Sequence, residues 1–149
     1  MDRHDYYLGG RWVGGPERFR VIDPGTGEAL AEVAVAGRDE ARAAVEHAHA
    51  AFGPWRGLPA IKRGDCLLAI AEQLRLRQED IARLITRENG KPLAQSRAEV
   101  AMSIDHFRWF AEEGRRAYGR VVPNQAPGKR HLVLKHPVGV IGAIPPWNF

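Results

Sequence analysis

The chain has 149 residues, 44% hydrophobic and 27% charged, with a net charge of +4 from 22 Lys and Arg against 18 Asp and Glu. This is the composition of a globular domain with enough residues for a real core, and it excludes a disordered chain; no apolar run approaches the length of a membrane span. The positive excess is mild and interleaved with acids, so a solvated surface is expected and a nucleic-acid partner is not.

The single cysteine, Cys66, excludes an internal disulfide and suits a reducing compartment. Met1-Asp2-Arg3-His4-Asp5 is polar and opens no hydrophobic signal region, which predicts a cytoplasmic location with no membrane partner.

In chain order, Tyr6-Tyr7-Leu8 and Arg11-Trp12-Val13 flank Gly9-Gly10, a pair that takes the positive φ of a two-residue hairpin turn. Residues 19–23 and 30–35 are predicted strands around the turn residues Asp23-Pro24-Gly25-Thr26-Gly27. The first 36 residues are therefore expected as small antiparallel β structure, too short to stand alone.

Four helices follow in the prediction. The first begins near Asp39, carries Ala41, Ala44, Val45, Ala48, Ala51 and Phe52 on one narrow face, and is expected to stop at Gly53-Pro54. Pro59 suits the first turn of the second, whose inward residues are predicted as Leu67, Leu68, Ile70, Ala71 and Leu74. Gln78-Glu79-Asp80 places acids at the start of the third, where they complement the helix dipole. Its apolar face is Ile81, Leu84 and Ile85, and Asn89-Gly90-Lys91-Pro92 ends it and opens the fourth. That helix is predicted from about residue 93 to about 116, with Leu93, Val100, Ala101, Ile104, Phe107 and Ala111 inward and Trp109 and Phe110 widening the stripe.

Residues 120–125 and 131–136 alternate polar and apolar residues, as in a two-stranded ribbon with one exposed face, and such a ribbon invites further pairing. Residues 138–144 are continuously apolar and short, which predicts a strand buried on both faces. Little of the preceding chain can cover such a strand, so an N-terminal piece of a larger protein is expected.

Cys66 lies within a helical apolar pattern and is expected as a buried core thiol. The six histidines show no zinc-like spacing, and Glu112-Glu113 before Arg115-Arg116 fits a solvated face with local pairs. Gly139 and Gly142 lack the third glycine of a dinucleotide fingerprint. Pro145-Pro146-Trp147-Asn148-Phe149 is more pointed, because it follows the predicted strand's C-terminal end, where ligands bind in open α/β sheets. Two readings stand there: Asn148 as a preorganised amide donor to an oxyanion, or a turn that packs aromatics on the rim.

Five segments carry a resemblance: Tyr7-Leu8-Gly9-Gly10-Arg11-Trp12, Asp23-Pro24-Gly25-Thr26-Gly27-Glu28, Glu88-Asn89-Gly90-Lys91-Pro92, Val138-Gly139-Val140-Ile141 and Pro146-Trp147-Asn148-Phe149. In this order and spacing they resemble the N-terminal part of the NAD(P)-dependent aldehyde dehydrogenase superfamily, over essentially the whole chain. Arg87-Glu88-Asn89-Gly90-Lys91-Pro92 and Phe110-Ala111-Glu112-Glu113-Gly114 are most similar to its succinate-semialdehyde dehydrogenase group.

The resemblance implies an α/β fold: small hairpins and a four-helix layer as part of the cofactor-binding domain over residues 1–119, an oligomerisation ribbon over 120–137, and the first strand and catalytic loop of a Rossmann-like core over 138–149. It implies oxidation of an aldehyde to a carboxylate with NAD or NADP through a cysteine thiohemiacetal, in a homo-oligomer. Asn148 then holds the oxyanion, and Ile144, Pro145, Pro146 and Trp147 line the nicotinamide side together with it. Phe149, and Ser103 on the long helix, face the aldehyde. A structural monovalent cation is implied near the backbone of Ile22 and the side chain of Glu88.

One departure is Pro145, where the family commonly has Thr or Ile; proline has no N–H, which removes any backbone donor there. The family's nucleophilic cysteine, catalytic glutamate, pyrophosphate-contacting glycine pair and ribose-contacting lysine all match positions downstream of this sequence. An N-terminal fragment, inactive alone, is therefore expected. The alternatives are a non-catalytic assembly piece acting through its ribbon and a basic binding module.

Overall fold

A computed structural model describes residues 2–146 of the chain. Strands β1 (Asp2–His4), β2 (Tyr6–Leu8), β3 (Arg11–Val13), β4 (Arg18–Ile22) and β5 (Ala29–Ala34) precede helices α1 (Arg38–Gly57), α2 (Ala60–Leu76), α3 (Gln78–Asn89) and α4 (Leu93–Glu113). A 3-10 turn, Gly114–Arg116, extends α4, and β6 (Arg120–Val122) and β7 (His131–Val133) form a ribbon. This is the mixed α/β arrangement expected, with four helices and small sheets.

The β2–β3 hairpin closes as predicted on Gly9 and Gly10, whose φ values are 57° and 85°. Strands β4 and β5 pair antiparallel around a turn in which the Asp23 carboxylate accepts the Gly25 N–H at 2.8 Å. The expectation of purely antiparallel structure fails at β1, which joins the free edge of β5 in parallel, with Asp2 opposite Ala31. Charge assists the pairing of so polar a segment, whose backbone bonds to the edge of β5 hold it. Glu32 on β5 lies between Arg3 of β1 at 3.2 Å and Arg20 of β4 at 3.8 Å, a cross-strand acid between two cations.

Helix α1 runs through Gly53-Pro54 to Gly57 instead of stopping there. Pro54 removes only its own bond, to the carbonyl four residues back, close to the helix end. The Leu58 N–H then closes the helix on the Trp55 carbonyl at 3.2 Å, and the Arg63 guanidinium donates to the Leu58 carbonyl. The alanine face predicted for α1 buries nothing among the described residues.

The core lies where α2, α3 and α4 meet. Ala71, Ala82, Val100 and Ile104 are buried, with Leu74, Ile81, Ile85, Leu93 and Phe107 packed around them. On α2 the inward stripe is Gly64, Leu67, Ala71 and Leu74, a 3- and 4-residue spacing. Leu68 and Ile70 sit off that stripe and are exposed, against expectation. Cys66 is one residue, about 100° of helix, from Leu67 and is likewise exposed, which corrects the buried-thiol reading. Leu84, Ala101, Trp109 and Phe110 are also exposed instead of inward.

Gly64 sets the approach of α2 to α4. A Cβ there would lie 2.8 Å from the Ala111 carbonyl oxygen, so the helices have to part before any side chain fits. Alanine gains about 1 kcal/mol in helix propensity but meets an overpacking cost of about 1–3 kcal/mol. Gly64→Ala is therefore expected to be slightly destabilising and Gly64→Val clearly more so, read as successive falls in urea midpoint.

Helices α3 and α4 are also clipped by charge. Glu79 receives two Arg97 N–H bonds at 2.8 Å and a third contact from Arg83 at 2.6 Å. The Arg97 hydrogen bonds hold the Glu79 carboxyl at about 2, below its ordinary 4.5. Because the folded value is depressed, the clip stabilises fully above pH 4.5 and is lost as pH falls toward 2. The difference in thermal midpoint between the protein and its Glu79→Gln variant is expected to shrink over that interval.

Gly90, at φ 76°, ends α3 in the left-handed conformation, and Pro92 caps α4, both as predicted. Glu113 pairs with Arg116 at 2.6 Å, the local pair expected of that solvated face. The ribbon is shorter than predicted, three residues a strand, and exposed on both faces. Residues 138–144 form no strand, and Val138 and Ile144 are 86% and 100% exposed. A strand exists only through its ladder, and among the described residues none pairs with this segment.

Candidate functional site

The sequence-predicted site divides between the segment after Pro137 and the helical layer. Ile144, Pro145 and Pro146 are exposed and belong to no helix or strand. Trp147, Asn148 and Phe149 lie outside the described residues. Of the described three, only Ile144 carries a backbone N–H, so the set offers a single backbone donor and an otherwise apolar surface.

Ser103 is half-buried on α4, and its Oγ donates to the Glu99 carbonyl at 3.0 Å, one turn back. Glu99 points its carboxylate at the Lys91 ammonium, and the two side chains are 15% and 10% exposed. Nothing in the periodicity singles out this pair. The two residues sit on opposite sides of Pro92, and only the turn at Gly90 brings them together. Near it, Ser96 is fully buried and shares a hydrogen bond of 2.9 Å with Thr86, so α3 and α4 are joined by a satisfied polar contact inside the core.

The residues proposed for a cation lie on neighbouring elements. Ile22 ends β4 at a register irregularity, and Glu88 is in the last turn of α3. A cavity of about 230 Å³ between the sheet and α3 is lined by Val21 and Glu88 among others. The turn after Ile22 approaches the helix end, since a Cβ on Gly90 would lie 3.1 Å from Pro24 Cγ. Among the described residues no group of three or more His, Cys, Asp and Glu is placed to hold a metal ion. Nor is any helix among them long and apolar enough to cross a membrane.

A hairpin, a three-stranded sheet, a three-helix core and a following ribbon, with the Pro-Trp-Asn motif beyond, define a recognisable N-terminal arrangement. The aldehyde dehydrogenase family model matches residues 12–149, and the chain belongs to that family. The mouse mitochondrial succinate-semialdehyde dehydrogenase is 44% identical over 147 residues, covering 99% of this chain and 28% of the relative. The glutarate-semialdehyde dehydrogenase of Pseudomonas putida is 41% identical over 149 residues, covering 99% and 31%. A 3-sulfolactaldehyde dehydrogenase of Pseudomonas putida is 42% identical over 145 residues, covering 96% and 30%. Among solved structures, the succinate-semialdehyde dehydrogenase of Burkholderia pseudomallei superposes with a TM-score of 0.89 at 38% identity, covering 92% of this chain and 29% of that one. The chain thus spans less than a third of the length of the relatives it matches.

Proposed function

We propose that this chain is part of an NAD(P)+-dependent aldehyde dehydrogenase whose substrates are short aldehydes with an anionic group at the far end. The observation that carries the proposal is chemical agreement among the relatives. Succinate semialdehyde and glutarate semialdehyde end in a carboxylate and 3-sulfolactaldehyde in a sulfonate, and the enzymes named for them are 41–44% identical to nearly all of this chain.

Within that enzyme Asn148 donates its side-chain amide to the oxygen that becomes negative when a thiolate attacks the aldehyde. Charge appears there only as attack proceeds, so the donor favours the transition state over bound aldehyde. When bound, NAD(P)+ supplies the hydride acceptor. Ile144, Pro146 and Trp147 give its nicotinamide side an apolar wall, and Pro145 adds rigidity and no donor. Phe149 and Ser103 face the aldehyde, the latter after exchanging its bond to the Glu99 carbonyl. Cys66, on α2 in the helical layer, is not assigned as the attacking thiolate, because the family's nucleophile matches no residue of this sequence.

The division at residues 119 and 137 into cofactor-domain, ribbon and core segments follows the same reading, with the exposed edges of β6 and β7 serving homo-oligomer assembly. Ile22 and Glu88 contribute to a monovalent-cation site, and the protein is placed in the cytoplasm. A panel of aldehydes tests the substrate class. Succinate and glutarate semialdehyde are expected to exceed uncharged propanal and butanal in kcat/KM by about tenfold or more, the discrimination one charged contact supplies. Equal values, or a preference for the uncharged aldehydes, would refute it.

A further inference from the structure

A second cavity, of about 590 Å³, lies between the C-terminal end of α1, the N-terminal end of α2, the 3-10 turn after α4 and the segment following β7. That volume is in the range of small-molecule sites. Its walls include Arg56, Arg63, Arg115 and Lys135, with Phe52 and Trp55 beside them, and among the described residues no carboxylate lines it.

The cations are differently employed. Arg63 is held against the end of α1 by the Leu58 carbonyl, and Arg56 lies over the Phe52 ring at 5.9 Å. Arg115 and Lys135 make no ion pair among the described residues, whereas the adjacent Arg116 is neutralised by Glu113. Like charges gathered in one concavity repel each other and raise the local potential, a cost that a bound anion removes. Helix α2 begins at the cavity wall with Ala60 and has no acid in its first turn, while the C-terminal ends of α1 and α4 lie on the other walls, so the side-chain cations set the sign of the site.

We infer that this cavity binds a small phosphate-bearing anion, with Arg56, Arg115 and Lys135 as its cationic contacts. Planar guanidinium forks match phosphate oxygens in pairs, and the lysine adds a point charge. None of Ile144, Pro145, Pro146 or Glu88 lines the cavity, and the inference does not depend on the proposed oxidation chemistry.

Calorimetric titration of the purified protein with sodium pyrophosphate is the test. It is run with and without saturating NAD+, so that pyrophosphate entering a coenzyme site is displaced and the share of the cavity remains. Binding that persists with NAD+ present is expected. Arg115→Gln and Lys135→Gln, both on exposed residues, are each expected to weaken it about tenfold or more, the loss of one charge-assisted contact. Lys129→Gln, in the ribbon turn and outside the cavity, is expected to leave it unchanged. Absence of binding, complete displacement by NAD+, or equal weakening by all three variants would overturn the inference.

Discussion

Replacing Asn148 with alanine in the enzyme is expected to lower kcat for aldehyde oxidation by roughly 100- to 1,000-fold with KM nearly unchanged, the pattern of a donor lost from an oxyanion site. Two prolines stiffen the chain immediately before Trp147 and Asn148, as suits a preorganised donor. A donor fixed in advance reorganises little as charge develops, which is why its removal is felt in turnover and not in binding. Asn148→Asp is expected to be at least as damaging, because it presents a negative charge to a developing negative charge. Cys66→Ser serves as the contrasting variant and is expected to retain full kcat. A rise in KM proportional to the fall in kcat/KM, with kcat intact, would argue for a binding contact instead.

Removing the charge of Lys91 is expected to be the most destabilising single change in the helical layer, at about 3–5 kcal/mol, the usual cost of leaving one member of a buried pair alone. Lys91 and Glu99 are 10% and 15% exposed, so water replaces the lost partner poorly. The pair also spans the turn from α3 to α4, where Gly90 and Pro92 fix the chain direction. Lys91→Met leaves the Glu99 carboxylate stranded, whereas Lys91→Met combined with Glu99→Leu removes both charges. The double variant is therefore expected to recover most of the loss, as replaced buried pairs often do. Denaturant midpoints of the four proteins in this cycle measure the coupling. A single-variant loss below about 1 kcal/mol, the range of an exposed pair, would contradict it.

The helical layer was legible where local chemistry decides the outcome. Gly9-Gly10, Gly90 and Pro92 needed only backbone preferences, and Val100, Ile104 and Ala111 needed only helical spacing. Contacts between elements distant in the chain were not legible. The parallel pairing of β1 with β5 sets Glu32 between Arg3 and Arg20, three residues that no window of sequence joins. The same holds for Gly64 beneath the Ala111 carbonyl and for Ser96 against Thr86.

Apolar residues read as core fell on exposed positions for a related reason. Leu68, Ile70 and Trp109 widen an apolar stripe in the sequence, but only what packs against a helix decides how wide a stripe is buried. The apolar run 138–144 is the sharpest case. Its composition suits a buried strand whose partners the preceding chain does not supply, and among the described residues no strand pairs with it. For the site, the sequence supplied the motif around Asn148, and the role proposed for it rests on the resemblance. The cationic cavity between α1, α2 and Lys135 emerged only from the fold, since Arg56, Arg115 and Lys135 are far apart in the chain.

The most direct test of the proposed activity is product stoichiometry. Purified enzyme is given succinate semialdehyde with NAD+ or NADP+, and the aldehyde consumed, carboxylate formed and coenzyme reduced are measured together. The account predicts one carboxylate and one reduced coenzyme for each aldehyde lost. Aldehyde loss without coenzyme reduction, or no reaction with succinate semialdehyde or any other anionic aldehyde, would contradict it.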